Sequence, residues 1–344
     1  MMHNNYEIHK LSEKKEFLEK VFQLLETEFN YSGENKVSVD FFPLLKEENL
    51  QNNFILIDPT NNDLIGHIGT KPNLYHVNGT DYPILHLGGI AISNKHQGKG
   101  NFRYLFSYIL NQLQKRYAFL FLWSDKNDLY AKYDFFPVGG QIQPVENYSP
   151  INGYRDTEYH KLESDQQKQL KNLYKDSHKY FLMPTREDWN DLNGTSSAKL
   201  FIKENKSNEI TSYYIMNKGQ DLKNVIHEFG IKEDVFEKEL KEFQKNACFL
   251  PFQFFPLEEE FFQLQYTVLC KLGNPYFLAN FASDFSRGEI TDFKFSNNEV
   301  DFIFENKDYQ MEVKNFFESL WGPQIIKEFF GRYQGLYVPG IESI

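Results

Sequence analysis

Basic charge and cysteine are both scarce in this sequence. The chain of 344 residues has a formal net charge of -11, which argues against a protein that coats nucleic acid and mildly favours basic partners. Its two cysteines, Cys248 and Cys270, lie far apart and outside any Cys-x-x-Cys pattern or His cluster. They therefore predict buried, inert thiols in a reducing compartment, and they predict no metal site.

Signals for export or membrane insertion are also missing. The first residues, Met-Met-His-Asn-Asn-Tyr, lack the apolar core of a secretory signal. The longest uninterrupted apolar run, Tyr117 to Trp123, is too short to span a bilayer. We therefore expect a cytoplasmic protein with no membrane and no nucleic-acid partner. The oligomeric state is left open, with a homo-oligomer as one option.

Aromatic residues, at 17% of the chain, are abundant and supply material for packed cores. The length favours two domains, and a punctuated stretch from Asn147 to Gly153 indicates a boundary near residue 150. Beyond it, Tyr159 to Leu162 echoes Ile8 to Leu11 as a weak internal repeat. We expect domains at residues 1–150 and 151–344.

The hydrophobic pattern predicts a mixed α/β protein with a mostly antiparallel, twisted sheet flanked by helices. Pro83 cannot donate to a strand ladder, so we place it just before its strand. An amphipathic helix is expected from Asn101, followed by a buried strand. The expected strands are Phe54–Ile57, Leu64–Ile68, Ile84–Ile92, Phe119–Trp123, Ala198–Ile202, Ile210–Met216 and the hairpin 302–304 with 309–313, and a short helix is expected at Val225–Phe229.

The stretch from His86 to Phe102 joins an apolar strand to a glycine-bearing turn and then to that amphipathic helix. A helix N-terminus preceded by small residues suits a phosphate or pyrophosphate. A dinucleotide fingerprint needs a third glycine, and a nucleoside-triphosphatase loop needs Ser or Thr after Gly-Lys, whereas Lys99 is followed by Gly100. Neither pattern fits this turn.

The turn resembles the acetyl-CoA-binding segment Gln/Arg-x-x-Gly-x-Gly/Ala of the GNAT N-acetyltransferases. The residues that fall on this pattern are Gln97, Gly98, Lys99, Gly100, Asn101 and Phe102. Phe102 departs from it, because the family has a small residue there. The resemblance implies that these six residues bind the pyrophosphate of acetyl-CoA, with Phe102 either packed on the sheet or filling the approach of the pyrophosphate.

A second segment, Tyr130-Ala131-Lys132-Tyr133-Asp134-Phe135, resembles the GNAT segment Tyr-x-Lys-x-Gly-Phe. Asp134 replaces the usual glycine, and Asp tolerates a left-handed backbone better than most residues. Both segments together imply a GNAT fold for residues 1–150. Residues 151–344 are expected to be a degenerate GNAT-like or unrelated accessory domain with a docked C-terminal tail, as in the enhanced-intracellular-survival acetyltransferases, which this chain resembles.

The resemblance also implies roles for individual residues. The backbones of Ile90 and Ile92 would contact pantetheine and acetyl group, and Tyr130 would protonate the departing thiolate. The base would be His86, whose imidazole titrates near working pH, or the terminal carboxylate of Ile344; His67 is a weaker candidate. No metal is expected.

The resemblance favours an acetyl-CoA-dependent N-acetyltransferase acting on a primary amine of a small molecule, peptide or protein. Two alternatives stay open. A non-catalytic acyl-CoA-binding or sensing module would agree with Phe102 and the degenerate half. A two-lobed aminoacyl-transferase using charged transfer RNA is disfavoured by the acidic balance.

Overall fold

The computed structural model describes residues 6–138, 141–144, 151–179, 181–246, 248, 250–251, 262–265, 268–321 and 335–340. The strands are β1 Glu7–Lys10, β2 Asn53–Asp58, β3 Asp63–Val77, β4 Thr80–Ile92, β5 Phe119–Trp123, β6 Phe136–Val138, β7 Gln141–Pro144, β8 Arg155–Thr157, β9 Phe181–Leu182, β10 Lys199–Glu204, β11 Ile210–Met216, β12 Ile226–Ile231, β13 Leu250–Pro251, β14 Phe262–Gln265, β15 Val268–Leu272, β16 Ile290–Ser296, β17 Glu299–Phe304, β18 Lys307–Glu312 and β19 Gly335–Leu336. The α-helices are α1 Leu18–Glu28, α2 Val37–Asp40, α3 Phe42–Leu45, α4 Asn101–Leu113, α5 Asn127–Ala131, α6 Ser164–Ser177, α7 Asp191–Gly194, α8 Phe236–Gln244, α9 Tyr276–Phe285 and α10 Val313–Trp321.

The central sheet contains seven strands in the order β1-β2-β3-β4-β5-β15-β6. Neighbouring strands are antiparallel except for β4 and β5, which are parallel. The mixed, mostly antiparallel architecture expected from the sequence is confirmed. The chain returns to this sheet late, because β15 lies between β5 and β6. The strand therefore joins the two halves of the chain, and the division near residue 150 stays a prediction.

Helices cover both faces of the central sheet. Side chains alternate between the faces along each strand, so Leu120 and Leu122 of β5 pack with α4 on one face. Phe119 and Phe121 pack with α9 and α10 on the other. The α1–α3 region covers the β1–β2 end of that second face. The sheet is buried on both sides, as the unbroken apolar sequence of β5 predicts.

The long hairpin of β3 and β4 turns at Asn78 and Gly79, which have φ of 45° and 93°, as expected for an Asn-Gly turn. Both strands extend further toward this turn than the sequence indicated. The placement of Pro83 before the strand was wrong, because Pro83 lies within β4, opposite Leu74. A proline is tolerated there since β4 begins to pair with β5 only at Ile84.

A second sheet has the order β12-β11-β10-β8 and packs against α6 and α8. The helix expected at Val225–Phe229 was wrong, because Ile226–Ile231 forms strand β12. Every residue of β12 is buried, so its sequence lacks the alternation that marks a half-exposed strand. The predicted hairpin is confirmed as β17 and β18. The two segments of the weak internal repeat, however, differ in structure. Tyr159–Lys161 forms a 3-10 turn, whereas Glu7–Lys10 forms a strand.

Buried ion pairs connect the two halves of the chain. Asp191 of α7 lies 2.7 Å from Lys46 Nζ and 3.1 Å from Lys71 Nζ, and its side chain is only 5% exposed. The Thr185 N–H donates to the Leu74 carbonyl at 2.8 Å. Removing one member of such a buried group would leave uncompensated charge. Among the described residues, no helix is both long enough and apolar enough to cross a membrane.

Candidate active site

The glycine-bearing turn forms an exposed loop at the N-terminus of α4. Gly98 and Gly100 have φ of 71° and 84°, a left-handed conformation that glycine adopts at little cost. Gly100 caps α4 without any side-chain hydrogen bond at this end. The first backbone N–H groups of a helix have no intrahelical acceptor and carry the positive end of its dipole. The loop therefore has the backbone needed to bind an anion.

Side chains hold this loop from the inside. Gln97 Nε2 donates to the Ile92 carbonyl and to Glu28 Oε2, both at 2.9 Å. Asn101 Nδ2 donates to the His96 carbonyl at 2.9 Å. Lys99, in contrast, is exposed, and its Nζ donates to a carbonyl of the same loop at 2.7 Å. Gln97 and Asn101 thus shape the loop, while its backbone and Lys99 face outward.

Phe102 packs into the core on the α4 side of the sheet. Its ring stacks on Phe106 at 5.1 Å and meets the edges of Tyr130 and Tyr133 at 6.0 and 5.8 Å. The side chain is therefore part of the aromatic core below the loop. Of the two roles considered from the sequence, packing is the one observed.

A cavity opens where β4 and β5 diverge. Their pairing ends at Leu87 and Leu122, and beyond that point the cavity, of about 470 Å³, separates the two strands. Its lining residues are Phe29, Phe41, Leu87, Gly88, Gly89, Ile90, Trp123, Ser124, Asp125, Lys126, Tyr130, Asp221 and Leu222. Ile90 lines this cavity, whereas Ile92 is buried in the α4-side core.

Tyr130 lies in the wall of this cavity at the end of α5 and is 5% exposed. Burial raises the pKa of Tyr130, and a hydrogen bond with Ser124 opposes this only in part. The phenol consequently stays protonated at neutral pH and can donate a proton or a hydrogen bond into the cavity.

His86 lies outside this cavity. It is 1% exposed, its ring is 5.9 Å from that of Phe121, and it is not among the cavity-lining residues. The side chain therefore points to the α9–α10 side of the sheet, where Phe121 also packs. The structure does not bring His86 together with Tyr130, and its role as base stays a prediction.

Two carboxylates line the cavity, and neither was predicted from the sequence. Asp125 follows β5, and Asp221 comes from the connection between β11 and β12 in the second half of the chain. Asp221 is exposed as a residue, yet burial of its carboxyl group raises its pKa; Lys218 lowers the pKa and Asp40 raises it. A loop aspartate carries no signal of this placement in the sequence.

The C-terminal carboxylate of Ile344 lies outside the described residues, and its role as base stays a prediction. At Gly340, the chain accepts a 2.8 Å hydrogen bond from Lys218 Nζ. It also packs closely against Leu222, which lines the cavity. The described end of the tail is therefore docked beside the cavity.

Neither cysteine is a reactive group. Cys248 and Cys270 are free thiols in the buried core, and burial raises the pKa of each well above its usual value. Within the described ranges, no group of three or more His, Cys, Asp or Glu residues could hold a metal ion.

Comparison with known proteins shows what the first part of the chain is similar to. Residues 7–138 match the sequence profile of an acetyltransferase (GNAT) domain. A probable N-acyltransferase from Enterococcus faecalis V583 has a similar structure, with a TM-score of 0.60 and 15% identity, over 96% of this chain and 94% of that one. No curated protein matches the sequence.

Two further solved structures share the fold. Eis1 from Mycobacterium abscessus aligns with a TM-score of 0.55 and 10% identity, over 90% of this chain and 85% of that one. N-myristoyltransferase from Saccharomyces cerevisiae, solved with myristoyl-CoA, aligns with a TM-score of 0.54 and 11% identity, over 80% and 81% of the two chains. At such identities these likenesses describe the fold alone. Residues 7–138 therefore match a GNAT acetyltransferase domain, and the chain as a whole shares the fold of these acyltransferase structures.

Proposed function

We propose that this protein is an acetyl-CoA-dependent N-acetyltransferase that acts on a primary amine of a small molecule, peptide or protein. The observation that supports this most directly is the cavity between the diverging strands β4 and β5. It combines strand backbone at Ile90, a buried phenol at Tyr130 and carboxylates at Asp125 and Asp221. These groups are what acyl transfer to an amine requires.

The residues of this chain fit acetyl-CoA. The left-handed glycines Gly98 and Gly100 leave open space above the loop, since a Cβ at either position would meet no atom within 4 Å. The backbone from Gly98 to Phe102 would hold the pyrophosphate, and that of Ile90 and Ile92 the pantetheine and acetyl group. When bound, acetyl-CoA supplies an acetyl group activated as a thioester.

Tyr130 is the proposed acid. Tyr130 lines the cavity, and its raised pKa means that the hydroxyl is protonated at neutral pH, so it can donate a hydrogen bond or a proton to the departing thiolate. Holding such a proton in position contributes about 10²–10⁴-fold to the rate of comparable reactions.

Asp221 is the proton acceptor that the structure favours over His86, because Asp221 lines the cavity and His86 does not. A carboxylate with a raised pKa takes a proton from an alkylammonium ion more readily than an ordinary one. Asp125 and Asp221 also supply negative charge where a cationic acceptor would enter. We infer that the acceptor is a positively charged amine.

The second half of the chain contributes to this site through Asp221 and Leu222. We propose that residues 151–344 are mainly a degenerate GNAT-like domain, which completes the acceptor side of the cavity and returns β15 to the first sheet. The absence of a second Gly-x-Gly after residue 150 in the sequence agrees with a single cofactor site.

Release of free thiol from acetyl-CoA tests the proposal, with a panel of cationic, neutral and anionic amines. We expect amine-dependent release with the cationic members. A long-chain acyl-CoA in parallel reports the acyl preference. If the protein binds acetyl-CoA but no amine gives turnover, the proposal fails, and an acyl-CoA-binding or sensing function replaces it.

A further inference from the structure

His67 contacts the strand backbone next to the cavity. It lies on β3, is fully buried, and places Nδ1 2.7 Å from the Gly89 carbonyl oxygen and Nε2 3.0 Å from Asn53 Oδ1. His67 is not among the cavity-lining residues. It therefore has no direct access to an acceptor amine in this cavity, and its role as base stays a prediction.

The orientation of Asn53 is determined by its own hydrogen bonds. Its Nδ2 donates to the carbonyls of Leu44 and Asn49, both at 2.9 Å. Exchanging the amide oxygen and nitrogen would place the amide oxygen against two carbonyl oxygens, so Oδ1 must face His67. The imidazole is thus fixed between Asn53 on one side and β4 on the other.

The backbone of β4 is irregular where His67 reaches it. The β3–β4 register shifts between His67 and Gly69, and Gly89 adopts φ of 55°. A Cβ at Gly89 would lie 3.1 Å from the His67 ring. At this bulge, extra residues of β4 interrupt the hydrogen bonds between the two strands. The Gly89 carbonyl is instead in hydrogen-bond contact with the His67 side chain.

The same peptide carries the Ile90 N–H. In a trans peptide the carbonyl and the N–H point in opposite directions, and the peptide bonds of the described chain are not cis. Since the Gly89 carbonyl faces the His67 ring, the Ile90 N–H points away from that ring, and Ile90 lines the cavity that opens where β5 has diverged.

We propose that His67 is a positioning residue: its Nδ1–H donates to the Gly89 carbonyl and thereby aims the Ile90 N–H at the acyl carbonyl in the cavity. A hydrogen bond to the carbonyl also polarises the peptide and makes its N–H a stronger donor. This inference rests on the proposed function, because it assigns the donor that would polarise the thioester.

The protonation state of His67 agrees with this role. Burial lowers the pKa of His67 to about 4, although the Gly89 carbonyl raises it, so the ring is neutral at neutral pH and carries one N–H. We assign that hydrogen to Nδ1 because its contact is the shorter of the two. In that tautomer the unprotonated Nε2 faces the Asn53 oxygen, and this contact favours uptake of a second proton, against the effect of burial.

The test compares wild type with His67→Leu, which cannot donate, and His67→Gln, which retains an amide donor. His178→Leu is the matched control, since burial likewise lowers the pKa of that histidine to about 4 and it lies outside the cavity. The readout is the infrared stretch of acetyl-CoA labelled with ¹³C at the thioester carbonyl. Affinities for acetyl-CoA and for CoA are measured on the same samples.

We expect wild type and His178→Leu to lower the carbonyl frequency on binding, His67→Leu to lose most of that shift, and His67→Gln to recover part of it. Only His67→Leu should lose the preference for acetyl-CoA over CoA, and its kcat should fall about 10–100-fold, less than complete loss of an oxyanion donor costs. A folded His67→Leu protein with the full frequency shift and unchanged preference would overturn the proposal.

If His67→Leu does not fold, the proposal is tested by the NMR shift of the Ile90 amide in wild-type protein labelled with [¹⁵N]isoleucine. The Ile90 amide proton should move downfield with acetyl-CoA and stay in place with CoA, and the same position with both ligands overturns the inference. The infrared and amide readouts need no turnover. Absence of amine-dependent thiol release therefore refutes the proposed function separately from the role of His67.

Discussion

Phe102 and Tyr130 meet edge to face, with ring centroids 6.0 Å apart and planes at 81°. The first is the residue that departs from the acetyl-CoA-binding pattern, and the second is the proposed acid. Aromatic pairs in this arrangement contribute about 0.5–1.5 kcal/mol beyond the area they bury. The bulky side chain of Phe102 therefore packs against the proposed acid Tyr130, while the space around Gly98 and Gly100 in the loop stays open.

Tyr130→Phe should lower kcat about 10²-fold or more, because the proton donor to the thiolate is lost, and should leave acetyl-CoA affinity nearly unchanged. Steady-state kinetics and equilibrium titration measure the two effects. Tyr133→Phe is the control, since Tyr133 also packs on Phe102 but does not line the cavity. An unchanged kcat in Tyr130→Phe would remove Tyr130 from the mechanism.

Phe102→Ala should lower the free energy of unfolding by about 1–3 kcal/mol, because a partly buried aromatic side chain leaves a gap beside Phe106 and Tyr130. CoA affinity should change less than about threefold, since the ring points into the core. Urea unfolding and CoA titration check both statements. Much tighter CoA binding in Phe102→Ala would mean that the ring obstructs the pyrophosphate after all.

Gly98→Ala and Gly100→Ala should each weaken CoA binding, because a side chain disfavours the positive φ that shapes the loop. The backbone cost is about 1–2 kcal/mol. Gly79→Ala is the matched control, since Gly79 also has positive φ with open space around it and lies in the β3–β4 turn. Equal loss of CoA affinity in all three variants would show a general stability effect instead.

Asp221→Asn should remove the acidic limb of the pH profile of kcat/KM. The raised pKa of Asp221 means that its carboxylate is lost at a higher pH than for an ordinary aspartate. Activity should therefore fall as the pH drops through that value. Asp125→Asn, which also removes a cavity charge, should weaken acceptor binding and keep the limb. An acidic limb that persists in Asp221→Asn would exclude this residue as the base.

The raised pKa of Asp221 also affects the stability of the fold. Because the pKa of Asp221 is higher in the folded than in the unfolded chain, its contribution to stability is present at low pH and is lost as the pH rises through the folded value. At neutral pH, Asp221→Asn should therefore be no less stable than wild type, and a thermal melt gives this comparison on the samples used for kinetics.

The local elements of the first domain could be predicted because their signals are local. The start of α4 at Asn101, the limits of β5 and the left-handed Asp134, with φ of 62°, all agree with the sequence. The secondary-structure prediction was wrong for β12, because every residue of that strand is buried and the hydrophobic alternation is absent. It was also wrong for Pro83, because β4 has no β5 partner at that residue and therefore tolerates a proline. Neither condition can be read from residues adjacent in the chain.

The candidate site likewise has features that the sequence determines and features that depend on the tertiary structure. Glycine spacing and helix amphipathicity determined by themselves that a turn with left-handed glycines precedes α4, because backbone conformation and helix dipole depend on neighbouring residues. Only the tertiary structure decided that Asp221 and Tyr130 line one cavity, that His86 faces the opposite core, and that the His67 ring contacts the Gly89 carbonyl. These relationships depend on where strands diverge, on a bulge and on docking of the second half of the chain, and long-range packing sets all three.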